Sequence, residues 1–155
     1  MLPVTLFMAA SLLSSSAVVV ALASPMYDVE PFKINSLRVN GPVEGLFIPD
    51  SKEKTIALAL AAGVLVITLS MLVNFVDKAI SRTSHLITAS ICVALAFVSI
   101  ILLDQAVSLP AAEALKNVVP GSVVRHTETY IVTYTLLASA IACLMFGMYR
   151  HKKIY

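Results

Sequence analysis

Apolar residues fill four long stretches of the chain, and charged residues mark where the stretches end. The uncharged stretches cover residues 2–24, 55–76, 85–103 and 129–149. About 20 residues of helix cross a bilayer core roughly 30 Å thick, so each stretch is long enough to span it. Lipid offers no partner for backbone N–H and C=O groups, and each stretch is therefore expected to be helical. The pattern predicts one domain, an all-α membrane protein built as a four-transmembrane-helix bundle.

Composition supports this fold class and excludes others. The 155 residues are 59% hydrophobic and 13% charged, whereas an ordinary soluble domain is about one quarter charged. Eleven Lys and Arg residues nearly balance nine Asp and Glu residues, and they form no basic face for nucleic acid. Two cysteines are too few for a disulfide scaffold.

The first stretch has two interpretations. Ala21 and Ala23 resemble an A-x-A cleavage site before Ser24, as in a secretory signal peptide. However, no Lys or Arg precedes the apolar stretch, which is also longer than a usual signal core. We expect the segment to be retained as a helix, with cleavage as the alternative.

Basic residues in the short connections predict the orientation. Lys78 and Arg82 lie between the second and third stretches, and Arg150, Lys152 and Lys153 follow the fourth. Cytosolic segments carry an excess of such residues. Both termini are therefore expected in the cytosol, and the longer loops, residues 25–54 and 105–128, on the outer side.

The outer loops are expected to form a small extracytoplasmic β-hairpin or sheet. Apolar residues recur at strand spacing around Asn40 and Gly41, a dipeptide favoured at the centre of a tight turn, and extend to Leu46 and Phe47. In the second loop, residues 108–118 favour a short helix with Ser108 as its cap. The stretch 122–127 then has the β-branched pattern of a strand that could pair with the hairpin.

This layout resembles the claudin and peripheral-myelin-protein tetraspans. The residues that carry the resemblance are Gly45, Leu46 and Phe47, which approximate the Gly-Leu-Trp of that family's first loop. The paired loop cysteines of the family are absent. The resemblance implies a left-handed four-helix bundle with an adhesive, barrier-forming or channel-accessory role.

One polar cluster is the nearest feature to a site. Residues that fall at the outer ends of the third and fourth stretches could form an outer-mouth cluster: Asp104, Arg125, His126, Glu128 and Tyr130. The alternative is a purely structural ion pair between Asp104 and Arg125 across the second loop.

Other chemistry is not indicated by the sequence. His85, His126 and His151 fall at separate membrane boundaries, and Cys92 and Cys143 are interpreted as buried thiols. An integral-membrane enzyme would need a charged or strongly nucleophilic residue at membrane depth, and the sequence indicates none. We therefore expect no catalytic residues, no cofactor and no metal.

The last four residues suggest a location. Lys152 and Lys153 fit the K-K-x-x tail, which resembles the dilysine signal for retrieval to the endoplasmic reticulum. The alternative is simple anchoring of the helix end to anionic headgroups. We expect a non-catalytic accessory or assembly subunit of a larger endoplasmic-reticulum membrane complex. Its expected partners are membrane lipids and other integral membrane proteins, or further copies of itself. The alternative function is a claudin-like adhesion or channel-modulating protein at the cell surface.

Overall fold

The computed structural model describes residues 2–29, 32–34, 39–40, 52–77, 82–117 and 122–154. Within these ranges, four helices are long and apolar enough to cross a membrane, which agrees with the predicted stretches and with a multi-pass membrane protein. They comprise α1 (Leu2–Ala23), α2 (Lys52–Asp77), α3 (Arg82–Leu102) with its continuation, and α5 (Thr127–Ile154), where α4 is the short helix Leu109–Lys116.

Helix α1 lies at the centre of the bundle. It packs against α2, α3 and α5, and its contact with α5 is the most extensive. Small buried residues make the close approach: Ala17 and Ala21 of α1 share a core cluster with Ala61 of α2 and Ala96 of α3. Small side chains at helix interfaces let backbones approach closely, which is how helices associate in lipid.

The contact between α1 and α5 depends on a glycine. A Cβ atom at Gly147 would lie 2.7 Å from Cε1 of Phe7, and the Phe7 side chain is fully buried. Any larger residue at Gly147 would have to displace that ring. The glycine therefore sets the distance between the two helices.

The third helix does not end at Leu103, as the charge at Asp104 had suggested. It continues through a π-turn, Leu103–Ser108, directly into α4. The Leu109 N–H donates to the Asp104 carbonyl, five residues back. Pro110 has no N–H, and its ring would crowd the carbonyl four residues earlier in a regular α-helix. The wider π-turn lies directly before this proline and lets the helix continue into α4. Ser108 is therefore inside a continuous helix, and its side chain makes no capping hydrogen bond.

A small antiparallel sheet covers one end of the bundle. Within the described residues it has four strands in the order β3-β2-β1-β4. These are β1 (Tyr27–Val29), β2 (Phe32–Ile34), β3 (Val39–Asn40) and β4 (Val124–Arg125). Strand β4 pairs with β1, so the expected pairing of the second loop with the first is confirmed. We call the end of the bundle that carries the sheet the sheet end.

The predicted turn at Asn40 and Gly41 extends beyond the described residues, and only its first residue is seen. Asn40 pairs with Lys33, and Val39 pairs with Ile34, so Asn40 belongs to a strand. The sequence itself disfavours a simple two-residue turn centred on Asn40 and Gly41, because Pro42 has no N–H to close it. Gly41, Leu46 and Phe47 lie outside the described residues.

The sheet is attached to the helices by its own hydrophobic core. Tyr27, Val29 and Ile34 are buried against Val107 of the π-turn and Leu115 of α4. The His126 N–H donates to the Met26 carbonyl at 2.9 Å, which ties the start of α5 to the end of α1. The sheet therefore packs on the continuation of the third helix at this end of the bundle.

Candidate functional site

A carboxyl group, Asp104, lies at the junction of the sheet and the bundle. Its residue is 3% exposed. Oδ1 accepts a hydrogen bond from the Tyr27 hydroxyl at 2.5 Å and a second, short one from the Tyr130 hydroxyl. Oδ2 accepts from Nε2 of Gln105 at 3.0 Å. Three donors therefore surround this buried carboxyl group, which is the arrangement that a buried polar group requires.

Each of these partners comes from a different element. Asp104 belongs to the π-turn, Tyr27 to β1 and Tyr130 to α5. π-turns recur at functional sites because they alter the direction of side chains relative to a regular helix. Here the turn holds a carboxyl group that joins the sheet to two helices.

Aromatic rings extend the cluster along α5. The rings of Tyr27 and Tyr130 meet edge to face with centroids 6.1 Å apart. The ring of Tyr134 stacks on that of Tyr130 with centroids 6.0 Å apart. The guanidinium carbon of Arg125 lies 4.5 Å from the centroid of Tyr130, within the range of a cation–π contact. Among the described residues, Arg125 thus contacts the tyrosine ring and forms no ion pair with Asp104.

The environment of Tyr27 stabilises its protonated form. Burial raises the pKa of the Tyr27 hydroxyl above its ordinary value, and the hydrogen bond that it donates to Asp104 raises it further. Removing water disfavours the phenolate, and a nearby carboxylate repels it. The hydroxyl is therefore held as a hydrogen-bond donor.

His126 joins a second pair beside this cluster. Its Nδ1 lies 3.2 Å from Oδ2 of Asp28, and both side chains are about one quarter exposed. The other oxygen, Oδ1 of Asp28, is buried and makes no hydrogen bond within the described residues. Glu128, two residues further along the chain in the first turn of α5, is exposed.

The five residues of the predicted outer-mouth cluster therefore fall into two separate groups. Asp104, Arg125 and Tyr130 meet around one carboxyl group and one aromatic ring. His126 pairs with Asp28, and Glu128 lines a shallow groove with His126. Lys152, of the predicted retrieval signal, is exposed near the end of α5, far along that helix from the cluster. Lys153 belongs to the same helix, and its side chain is outside the described ones.

Sequence reasoning missed Tyr27, Asp28 and Gln105. Tyr27 and Asp28 follow the first apolar stretch, and Asp104 follows the third. Alternate span ends meet on the same side of a membrane, so this pattern could have placed the three together. The direct contact of Tyr27 with Asp104 could not be read from sequence, because it depends on the π-turn.

A second polar group lies inside the bundle. Oγ of Ser15 and Oγ1 of Thr68 are 2.5 Å apart, and Thr68 also lies 3.5 Å from Sγ of Cys92. Cys92 and Cys143 form no disulfide. Among the described residues, no group of three His, Cys, Asp or Glu residues could hold a metal ion.

The Asp104 cluster can hold elements together. The carboxyl oxygens accept hydrogen bonds from residues of two other elements, and each hydrogen bond to a charged group contributes roughly 1.5–3 kcal/mol to stability. Comparison of the chain with known proteins found no matching family model, no matching curated protein and no matching solved structure.

Proposed function

We propose that this protein is a non-catalytic accessory or assembly subunit of a larger membrane complex in the endoplasmic reticulum, and that a partner's transmembrane helix docks on the outer face of α2. The proposal rests on one observation, a glycine in α2 whose small size no described residue requires. The sheet, the tail and the exposed apolar faces are consistent with it.

Helix α2 has two opposite faces, each formed by residues three or four positions apart, which is the spacing of a helix–helix interface. The inner face packs into the bundle and is buried: Ala57, Ala61, Val64, Thr68 and Met71. The residues of the opposite face are Ile56, Ala59, Gly63, Val66, Ser70 and Val73. Three of them, Ala59, Gly63 and Ser70, are small. Apart from Gly63, which is half-buried, these outer residues are exposed. At 3.6 residues per turn, Gly63 lies about 200° around the helix from Ala61.

Gly63 has no packing role within the described chain. A Cβ atom at Gly63 would meet nothing within 4 Å, whereas one at Gly147 would overlap Phe7. A glycine costs about 1 kcal/mol relative to alanine in a helix interior. Ala59 and Gly63 form the small-xxx-small pattern by which helices approach closely in lipid. This pattern on an uncovered face supports docking of a second protein's helix.

The test is Gly63→Leu in the full chain, purified in mild detergent, with co-isolated chains identified and counted by mass spectrometry. We expect the unaltered protein to retain a stoichiometric membrane partner. Leucine has room on the protein's own surface but would separate two closely packed helices, so we expect the retained partner to fall by about tenfold or more.

Ala94→Leu is the matched control. Ala94 is an exposed alanine of α3 among large exposed residues such as Ile91 and Phe97. We expect this variant to keep the partner. Purification of the unaltered protein alone, or equal partner loss in both variants, would contradict the proposed docking face.

The location has a separate test. Replacing Lys152 and Lys153 by serine should move the protein to the cell surface if they are read as a retrieval signal. Surface location of the unaltered protein would favour the claudin-like alternative, in which the four-stranded sheet would make adhesive contacts between cells.

A further inference from the structure

A groove of about 290 Å³ opens at the sheet end, where α1 ends and α5 begins. Its lining changes from apolar to polar residues along the helix axes. Val20 and Val132 belong to the apolar spans, whereas Ser24, His126 and Glu128 lie at or beyond their ends. Such a lining fits a molecule that is apolar at one end and polar at the other.

The polar end of the groove contains both signs of partial charge. The last carbonyls of α1 and the first N–H groups of α5 lack partners within their own helices. They give the rim a negative and a positive side, because a helix is partly negative at its C-terminus and partly positive at its N-terminus. Exposed Glu128, which lines the groove, adds a carboxylate to this rim.

We propose that this groove binds one phospholipid with a zwitterionic headgroup and a primary ammonium, that is, a phosphatidylethanolamine. An acyl chain lies along Val20 and Val132, and the ammonium donates to the Glu128 carboxylate. The phosphate faces the N–H groups of the first turn of α5, where anions bind favourably. A choline headgroup has no N–H to donate, so the groove selects ethanolamine over choline.

The test uses the full chain reconstituted with equal mole fractions of phosphatidylethanolamine, phosphatidylcholine and phosphatidylglycerol that carry the same acyl chains. After extraction into mild detergent, retained lipids are counted by native mass spectrometry. We expect phosphatidylethanolamine to exceed phosphatidylcholine by about 1.5- to 5-fold, the effect of one exposed ion pair. Equal retention of the three lipids, or a preference for phosphatidylglycerol, would overturn the proposal.

Three variants locate the binding. Glu128→Gln should bring the ethanolamine-to-choline ratio to about one, while Glu113→Gln, an exposed carboxylate on α4, should leave it unchanged. Val132→Trp replaces an exposed residue and should fill the groove, so that the preferred lipid is lost while the helical circular dichroism and its melting are kept. A ratio that survives Glu128→Gln, or lipid retention that survives Val132→Trp, would contradict the assigned position.

Discussion

At the scale of single residues, Asp104 shows how a charge at the end of an apolar span is accommodated. A carboxylate close to lipid must reach water or find donors. Asp104 is buried, and two tyrosine hydroxyls and an amide supply the donors. The sequence indicated the carboxylate and Tyr130 as neighbours, but it offered Arg125 as the alternative partner. Arg125 instead lies over the face of Tyr130, where its charge remains exposed to solvent.

Tyr27→Phe removes one of these donors and keeps the ring. We expect the free energy of unfolding to fall by roughly 1.5–3 kcal/mol, the value of a hydrogen bond to a charged group. Chemical denaturation in detergent, followed by circular dichroism, measures the change. Tyr134→Phe is the control, because the Tyr134 hydroxyl makes no hydrogen bond among the described residues while its ring stacks on Tyr130. Equal loss in both variants would show that the hydroxyl of Tyr27 contributes nothing specific.

The raised pKa of Tyr27 predicts a loss of stability in alkali. The unfolded tyrosine titrates near pH 10, at roughly its reference value. Above that pH the unfolded state loses its proton while the folded state keeps it, so stability falls as pH rises. The contribution is complete below about pH 10 and is lost as pH rises through the folded pKa. The free energy of unfolding, measured from pH 8 to pH 11, should decline less steeply in Tyr27→Phe than in the unaltered protein. Parallel curves would contradict this assignment.

At the scale of elements, local sequence patterns predicted those elements whose formation depends mainly on neighbouring residues. Apolar length predicted the spans, and residues 122–127 were predicted as a strand from their β-branched pattern. The same rules failed at Asp104, where the third helix continues. A charge does not end a helix when other elements supply its hydrogen-bond partners.

Alanine substitutions at Gly147 and Gly63 are expected to have opposite effects on the free energy of unfolding. Gly147→Ala should destabilise the protein by about 1–3 kcal/mol, because overpacking must displace a buried ring. Gly63→Ala should stabilise it by up to about 1 kcal/mol, because the site is open and alanine favours the helix. Thermal unfolding in detergent measures both. Similar effects of the two substitutions would show that the α1–α5 distance does not depend on Gly147.

At the scale of the whole molecule, four antiparallel spans place the sheet and the C-terminal tail at opposite ends of the bundle. The positive-inside pattern predicts that the tail end is cytosolic. The groove and the Asp104 cluster would then lie on the outer side, and the Gly63 face would lie within the membrane.

Thiol labelling in sealed microsomes that receive the chain during cell-free translation tests this orientation, because no vesicle transport follows insertion there. Single cysteines are introduced as Lys152→Cys or Ser122→Cys in a chain that carries Cys92→Ala and Cys143→Ala. Both positions are exposed. A membrane-impermeant maleimide should react at once with the cysteine at position 152 and with that at position 122 only after permeabilisation. The reverse order of reaction would contradict the predicted topology.

The sequence by itself determined what depends on neighbouring residues and on the solvent. Apolar runs of about 20 residues determine the spans, because lipid admits only backbones that satisfy their own hydrogen bonds. The tertiary structure alone decided which polar groups meet. Tyr27 reaches Asp104, 77 positions away in the chain, because the π-turn aims the carboxyl group at the sheet. Likewise, only the assembled bundle distinguishes Gly147, which packs on Phe7, from Gly63, which no described side chain covers.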